Sequence, residues 1–180
     1  MNKTELLEEP NVNQSRFLYV SQSRFVIMSI VTVGLWETYW IYKNWRYLKE
    51  RDNLDIMPVW RALFGIFFIH SLLSKIKGDK EVNLIEKATF SSGFLAAGWI
   101  IVLLIGNFCG RSDDFDIQIV GYLISTSSFL FLLPVQKAII RTNSLLTSKP
   151  EYYGWSLGQI VCLVIGVPLF LLVLIGVFYG

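Results

Sequence analysis

The sequence predicts an all-α fold: a polytopic transmembrane helical bundle of three to four spans, with one short re-entrant or interfacial helix. Three observations lead there. First, 53% of the 180 residues are hydrophobic and 17% are charged, against roughly a quarter charged in soluble domains. Second, the charges are segregated, with 9 of the 16 Lys and Arg falling between Lys43 and Lys87. Third, several apolar runs approach the roughly 20 residues that cross a bilayer as a helix.

Residues 1–20 are polar, carry Glu5, Glu8 and Glu9, and lack an apolar run followed by a small-residue cleavage site. They read as a flexible tail without a cleaved signal peptide, ahead of one membrane-embedded domain over residues 21–180.

The first apolar segment runs from Phe25 to about Tyr42 and reads as a span. Its far end gathers Trp36, Tyr39, Trp40, Trp45 and Tyr47 with Lys43, Arg46, Lys49 and Arg51. Rings and cations together mark the layer where headgroups meet acyl chains, so Trp36, Trp40, Lys43, Trp45 and Arg46 are expected to face lipid at the cytoplasmic interface.

The second segment, Ile56 to Ile76, opens with Asp55 as a candidate N-cap and Pro58 in the first turn. Arg61 interrupts it near one end and Lys75 near the other, and Ala62 to Ile76 makes roughly 22 Å of helix against a hydrocarbon core of roughly 30 Å. A re-entrant or interfacial helix is expected here, because a crossing would also place one strongly basic flank outside.

Three further spans follow. Phe90 to Phe108 ends at the acidic loop of Arg111, Asp113, Asp114 and Asp116; Ile117 to about Val135 ends at Pro134, ahead of Lys137 and Arg141; Trp155 to Tyr179 carries no charge at all. Basic residues favour the cytoplasmic side. That places Lys43–Lys87 and Lys137–Lys149 inside, with the acidic loop and the C-terminus outside. By alternation the N-terminus is also outside, unless the first segment is itself a hairpin or the second one crosses.

Within lipid, helices associate by close packing of small residues. Gly154, Gly158, Cys162 and Gly166 form such a stripe on the last helix, with matching pieces at Gly93 and Ala97, Gly106 and Gly110, and Gly121 and Ser125. Packing within the bundle and a seam between copies both use a stripe of this kind.

The candidate embedded polar site consists of Glu37, Arg61 and His70. A carboxylate at membrane depth is costly unless it is paired or wet. Glu37 therefore either sits shallow near Lys43 or forms a proton, ion or ligand site. Arg61 either pairs with Glu37 across the fold-back of the second segment or reaches lipid phosphate along its aliphatic stem. His70, amid Phe67, Phe68 and Leu72, is either a packing residue or a group that titrates near neutrality. Asn107, Gln118, Gln136 and Gln159 lie near span ends, where a hydrated amide is ordinary.

The remaining chemistry is sparse. There is one histidine, and the two cysteines, Cys109 and Cys162, lack paired spacing. No metal site, cofactor or catalytic group is expected. A net charge of +2, interleaved with membrane aromatics, argues against nucleic acid as a partner.

The string from Gly34 to Trp45, Gly-Leu-Trp-Glu-Thr-Tyr-Trp-Ile-Tyr-Lys-Asn-Trp, resembles the hallmark of a family of uncharacterised small bacterial multipass inner-membrane proteins. Ile56 to Ala62 and Leu132 to Gln136 fit the same pattern. The resemblance implies a bacterial inner-membrane location and assigns no activity. The expectation is thus a non-enzymatic accessory or scaffold component that binds lipid, a membrane protein partner or further copies of itself. The alternative is a small oligomeric transporter or channel using Glu37 and Arg61.

Overall fold

The computed structural model describes residues 17–86, 90–146, 155 and 157–179. Among them the chain is all-α, without strands. Its helices are α1 (Gln22–Val31), α2 (Leu35–Asp52), α3 (Pro58–Leu63), α4 (Gly65–Lys77), α5 (Lys80–Glu86), α6 (Ser92–Cys109), α7 (Phe115–Thr126), α8 (Phe129–Leu146) and α9 (Leu157–Tyr179).

The expected span from Phe25 to Tyr42 is not continuous. It breaks at Thr32–Gly34 and folds back into an antiparallel hairpin of α1 and α2. The Phe25 and Trp40 rings meet edge to face at 5.9 Å, whereas one straight helix would hold them about 22 Å apart. The turn has a local cause. Val33 and Gly34 take φ of 52° and 82°, a left-handed conformation that glycine adopts at little cost. The Thr32 hydroxyl donates to the Met28 carbonyl at 2.7 Å and accepts from the Trp36 N–H at 2.9 Å, closing one helix and capping the next.

The expectation of a flexible tail fails at its last residues. Phe17, Leu18, Tyr19 and Val20 are buried and run alongside α2 and α8. Asn44 accepts from the Leu18 N–H at 3.1 Å. Gln136 donates to the Val20 carbonyl at 2.7 Å and accepts from the Trp40 indole at 2.7 Å. Gln136 is therefore fully buried rather than hydrated, and so is Gln159. A buried extended segment needs partners for its backbone polar groups, and these amides supply them.

The second apolar segment starts at Pro58, the first helical position, but Asp55 does not cap it; Met57 occupies the N-cap without a side-chain bond. It breaks at Phe64 into α3 and α4. Successive contacts of α3 with α2 run from Ile56 at Lys49 through Arg61 at Trp45 to Gly65 at Ile41, so the two are antiparallel. Helix α4 then runs antiparallel to α6, from Gly65 near Trp99 to Ser74 hydrogen-bonded to Ser92 at 3.2 Å.

Helix α6 and the kinked α7–α8 pair are long and apolar enough to cross a membrane. They pack through their small residues. A Cβ on Gly106 would lie 2.6 Å from Ser125 Cβ, and one on Gly121 would lie 2.6 Å from Cys109 Cβ. Pro134 does not end the second of these helices, which continues through it to Leu146.

Helix α9 lies antiparallel to α2 along the small-residue stripe. Gly158 abuts the Tyr39 ring, Cys162 lies 3.9 Å from the Leu35 carbonyl, and a Cβ on Gly166 would come within 2.5 Å of Thr32 Cα at the hairpin tip. Gly154 falls outside the described residues.

Candidate functional site

Glu37 occupies the first turn of α2, just past the hairpin tip, with 1% of its surface exposed. Its neighbours come from distant elements. Trp99, near the middle of α6, donates its indole N–H to Oε2 at 2.6 Å. Ser128 sits in the two-residue break between α7 and α8, and its hydroxyl lies 2.8 and 2.9 Å from the two carboxylate oxygens. The break places it there: a helix interrupted at Ser127 and Ser128 turns one hydroxyl inward while Ser127 bonds the Ile124 carbonyl at 2.6 Å.

A cleft of about 310 Å³ has Glu37, Thr38, Asn107, Ser125 and Ser128 among its walls, beside Trp99 and Leu63. Asn107 and Ser125 also line a second cavity of about 460 Å³, which reaches Arg111 and Gln118 at the α6–α7 loop and Gly176 of α9. Asn107 and Ser125 therefore stand between the loop end of the bundle and the Glu37 cleft, shared by both.

Of the two arrangements open to Arg61, the pair with Glu37 does not form. The Arg61 guanidinium lies over the Trp45 ring at 4.4 Å and the Phe68 ring at 5.1 Å, because α3 meets the C-terminal half of α2 while Glu37 lies in its first turn. Two aromatic faces take the place of the carboxylate as its neighbours. His70 is exposed on α4 beside Gly93. That point of α6 is six residues from Trp99, roughly 9 Å along the helix, so His70 does not join the site.

The aromatics expected to face lipid divide differently. Trp36, Trp40 and Trp45 are fully buried; Trp40 meets Phe25 of α1 and Gln136 of α8, while Trp45 lies under Arg61 of α3. Lys43 is half-buried near the Tyr47 ring. Arg46 is exposed and pairs with Glu50 at 2.7 Å; the hydrogen bond that its guanidinium donates to that carboxylate raises its pKa. Arg51 reaches Asp79 at 2.7 Å and ties α2 to the start of α5. Burial lowers the Arg51 pKa, and its bonds to Asp52 and Asp79 more than offset this.

Among the described residues no group of three His, Cys, Asp or Glu could hold a metal ion, and Cys109 and Cys162 are both free and half-buried. Trp99 and Ser128 were not foreseeable as partners of Glu37, since each lies in an apolar run with no local signal. No family model matches the chain, and no curated protein or solved structure matches it either.

Proposed function

We propose that this chain is a multipass integral membrane protein of the bacterial inner membrane, spanning it with α6, α7–α8 and α9. In this reading it acts without catalysis of its own, as an accessory or scaffold component that holds anionic lipid at its basic end. The observation that carries the reading is the exposure of its most apolar helices. Only 22% of the α6 residues and 17% of the apolar α7–α8 window are buried within the protein. A soluble core helix would be mostly covered; these present Phe94, Ile101, Leu104, Phe108, Leu123 and Leu130 outward. So continuous an apolar surface calls for lipid.

The basic end supports the second half of the reading. Lys49 bonds the Ile56 carbonyl and Arg51 holds Asp79 at the C-terminal half of α2, while Arg24 stacks on Trp155 and joins the start of α1 to the residues just ahead of α9. The hairpin of α1 and α2 returns the chain to the side it started from. The N-terminus then joins the cytoplasmic face, which is the exception to simple alternation that the charge pattern left open.

Native mass spectrometry after gentle extraction tests the role. Phosphatidylglycerol is expected to remain bound, and Lys43→Glu with Arg46→Glu is expected to release it. Equal retention by the variant, or none by the wild type, would contradict the lipid-holding role.

A second reading, a small oligomeric transporter or channel, is favoured by one observation. Glu37 lines a cleft that shares Asn107 and Ser125 with a second cavity reaching the α6–α7 loop.

A further inference from the structure

The Glu37 carboxylate is buried, and both of its hydrogen-bond donors, the Trp99 indole and the Ser128 hydroxyl, are neutral. Arg61, the cation that a fold-back of the second segment would bring to it, is engaged by Trp45 and Phe68. An ionised carboxylate in such a place needs a positive charge or a proton. The two donors use only part of its acceptor capacity, since a carboxylate offers about four lone-pair positions and one hydroxyl hydrogen serves one of them at a time.

We propose that Glu37, with the adjoining cleft between α2, α3, α6 and the α7–α8 break, binds a monovalent alkali cation that enters from the α6–α7 loop end. The inference rests on the membrane embedding proposed above and not on the lipid-holding role. Charge selects the valence: Thr38, Asn107, Ser125 and Ser128 are neutral oxygen-bearing groups, so one carboxylate balances one positive charge and would leave a divalent ion half-compensated. The oxygen chemistry of these walls suits a hard cation. The cleft has room for a partly hydrated ion, since about 310 Å³ exceeds by about tenfold the roughly 30 Å³ that a water molecule occupies in the liquid. The route follows from the shared walls. Asn107 and Ser125 border both the Glu37 cleft and the cavity that reaches Gln118 at the loop.

The full chain in nanodiscs of phosphatidylethanolamine and phosphatidylglycerol gives the test. Thermal unfolding is followed in lithium, sodium, potassium or N-methylglucamine chloride at one ionic strength. At least one alkali ion is expected to raise the midpoint in a saturable manner, and Glu37→Gln is expected to remove that rise. Should Glu37→Gln not fold, Ser125→Ala is the second variant, expected to shift the saturation to about tenfold higher ion concentration. The same response in Glu37→Gln, an unshifted saturation in Ser125→Ala, or no alkali dependence in the wild type would each overturn the proposal. An infrared band of a protonated carboxylic acid that persists in saturating alkali salt and vanishes in Glu37→Gln would also overturn it, by assigning a proton to Glu37 instead. Phosphatase fusions that report membrane insertion separate failure of the embedding from failure of the ion site.

Discussion

The Trp99 indole N–H donates to Glu37 Oε2 at 2.6 Å across 62 residues of sequence, and this bond joins the tip of the first hairpin to the middle of α6. It sets the depth of the polar site. Trp99 lies seven residues past Ser92 and ten before Cys109, so Glu37 is held near the middle of a helix long enough to cross a membrane.

Removing that donor is expected to destabilise the protein. Trp99→Phe keeps most of the ring and deletes the N–H, and a hydrogen bond to a charged group contributes about 1.5–3 kcal/mol. Glu37→Gln and Trp99→Phe should also be coupled, with a double-mutant interaction of about 0.5–3 kcal/mol. Unfolding in mild detergent measures both; independent losses would mean that the bond does not form.

Glu37 and Arg61, by contrast, are expected to behave independently. Arg61→Gln removes a cation from two aromatic faces, a loss of about 0.5–2 kcal/mol, and leaves the surroundings of Glu37 intact. The losses from Glu37→Gln and Arg61→Gln should add to within about 0.5 kcal/mol. A double variant clearly more stable than that sum would restore the ion pair that the charges alone suggest.

Gly166 is expected to tolerate no side chain. A Cβ there would come within 2.5 Å of Thr32 Cα, which is backbone, whereas a Cβ on Gly93 meets nothing closer than His70 Nε2 at 4.0 Å. Gly166→Ala should cost about 1–3 kcal/mol through overpacking, while Gly93→Ala should be nearly neutral in packing. Equal thermal stability of the two variants would place α9 away from the hairpin tip.

Much of the helix pattern was legible in the sequence, because hydropathy marks long apolar runs. Phe90–Phe108 compares with the observed Ser92–Cys109, and the acidic loop falls between α6 and α7, where Asp114 caps the second helix. The paired small residues of Gly106 and Gly121 were legible too, since lack of a side chain is itself the signal. The fold-back at Thr32–Gly34 was not, because three small or β-branched residues barely alter a hydropathy profile while reversing the chain. From that omission follow the misplaced Trp36, Trp40 and Trp45: an aromatic near a basic cluster looks the same whether it meets lipid or another helix. Pro134 misled in a related way. It reads as a helix end, yet within a packed apolar helix the loss of one N–H is tolerated. Of the polar site, Glu37 stood out by its cost, but Trp99 and Ser128 lie 62 and 91 residues away; only the tertiary fold brings them together.

In the membrane arrangement proposed above, the fold-back of α1 and α2 puts the N-terminus on the basic face and the C-terminus on the opposite side. Matched reporter fusions in a bacterial host measure it most directly, with green fluorescent protein ahead of Met1 and alkaline phosphatase after Gly180. A fluorescent N-terminal fusion and an active C-terminal phosphatase are expected in the same membrane fraction. A dark N-terminal fusion together with an accessible N-terminal tag on the outer side would contradict it, since the chain would then cross the membrane once more before α6.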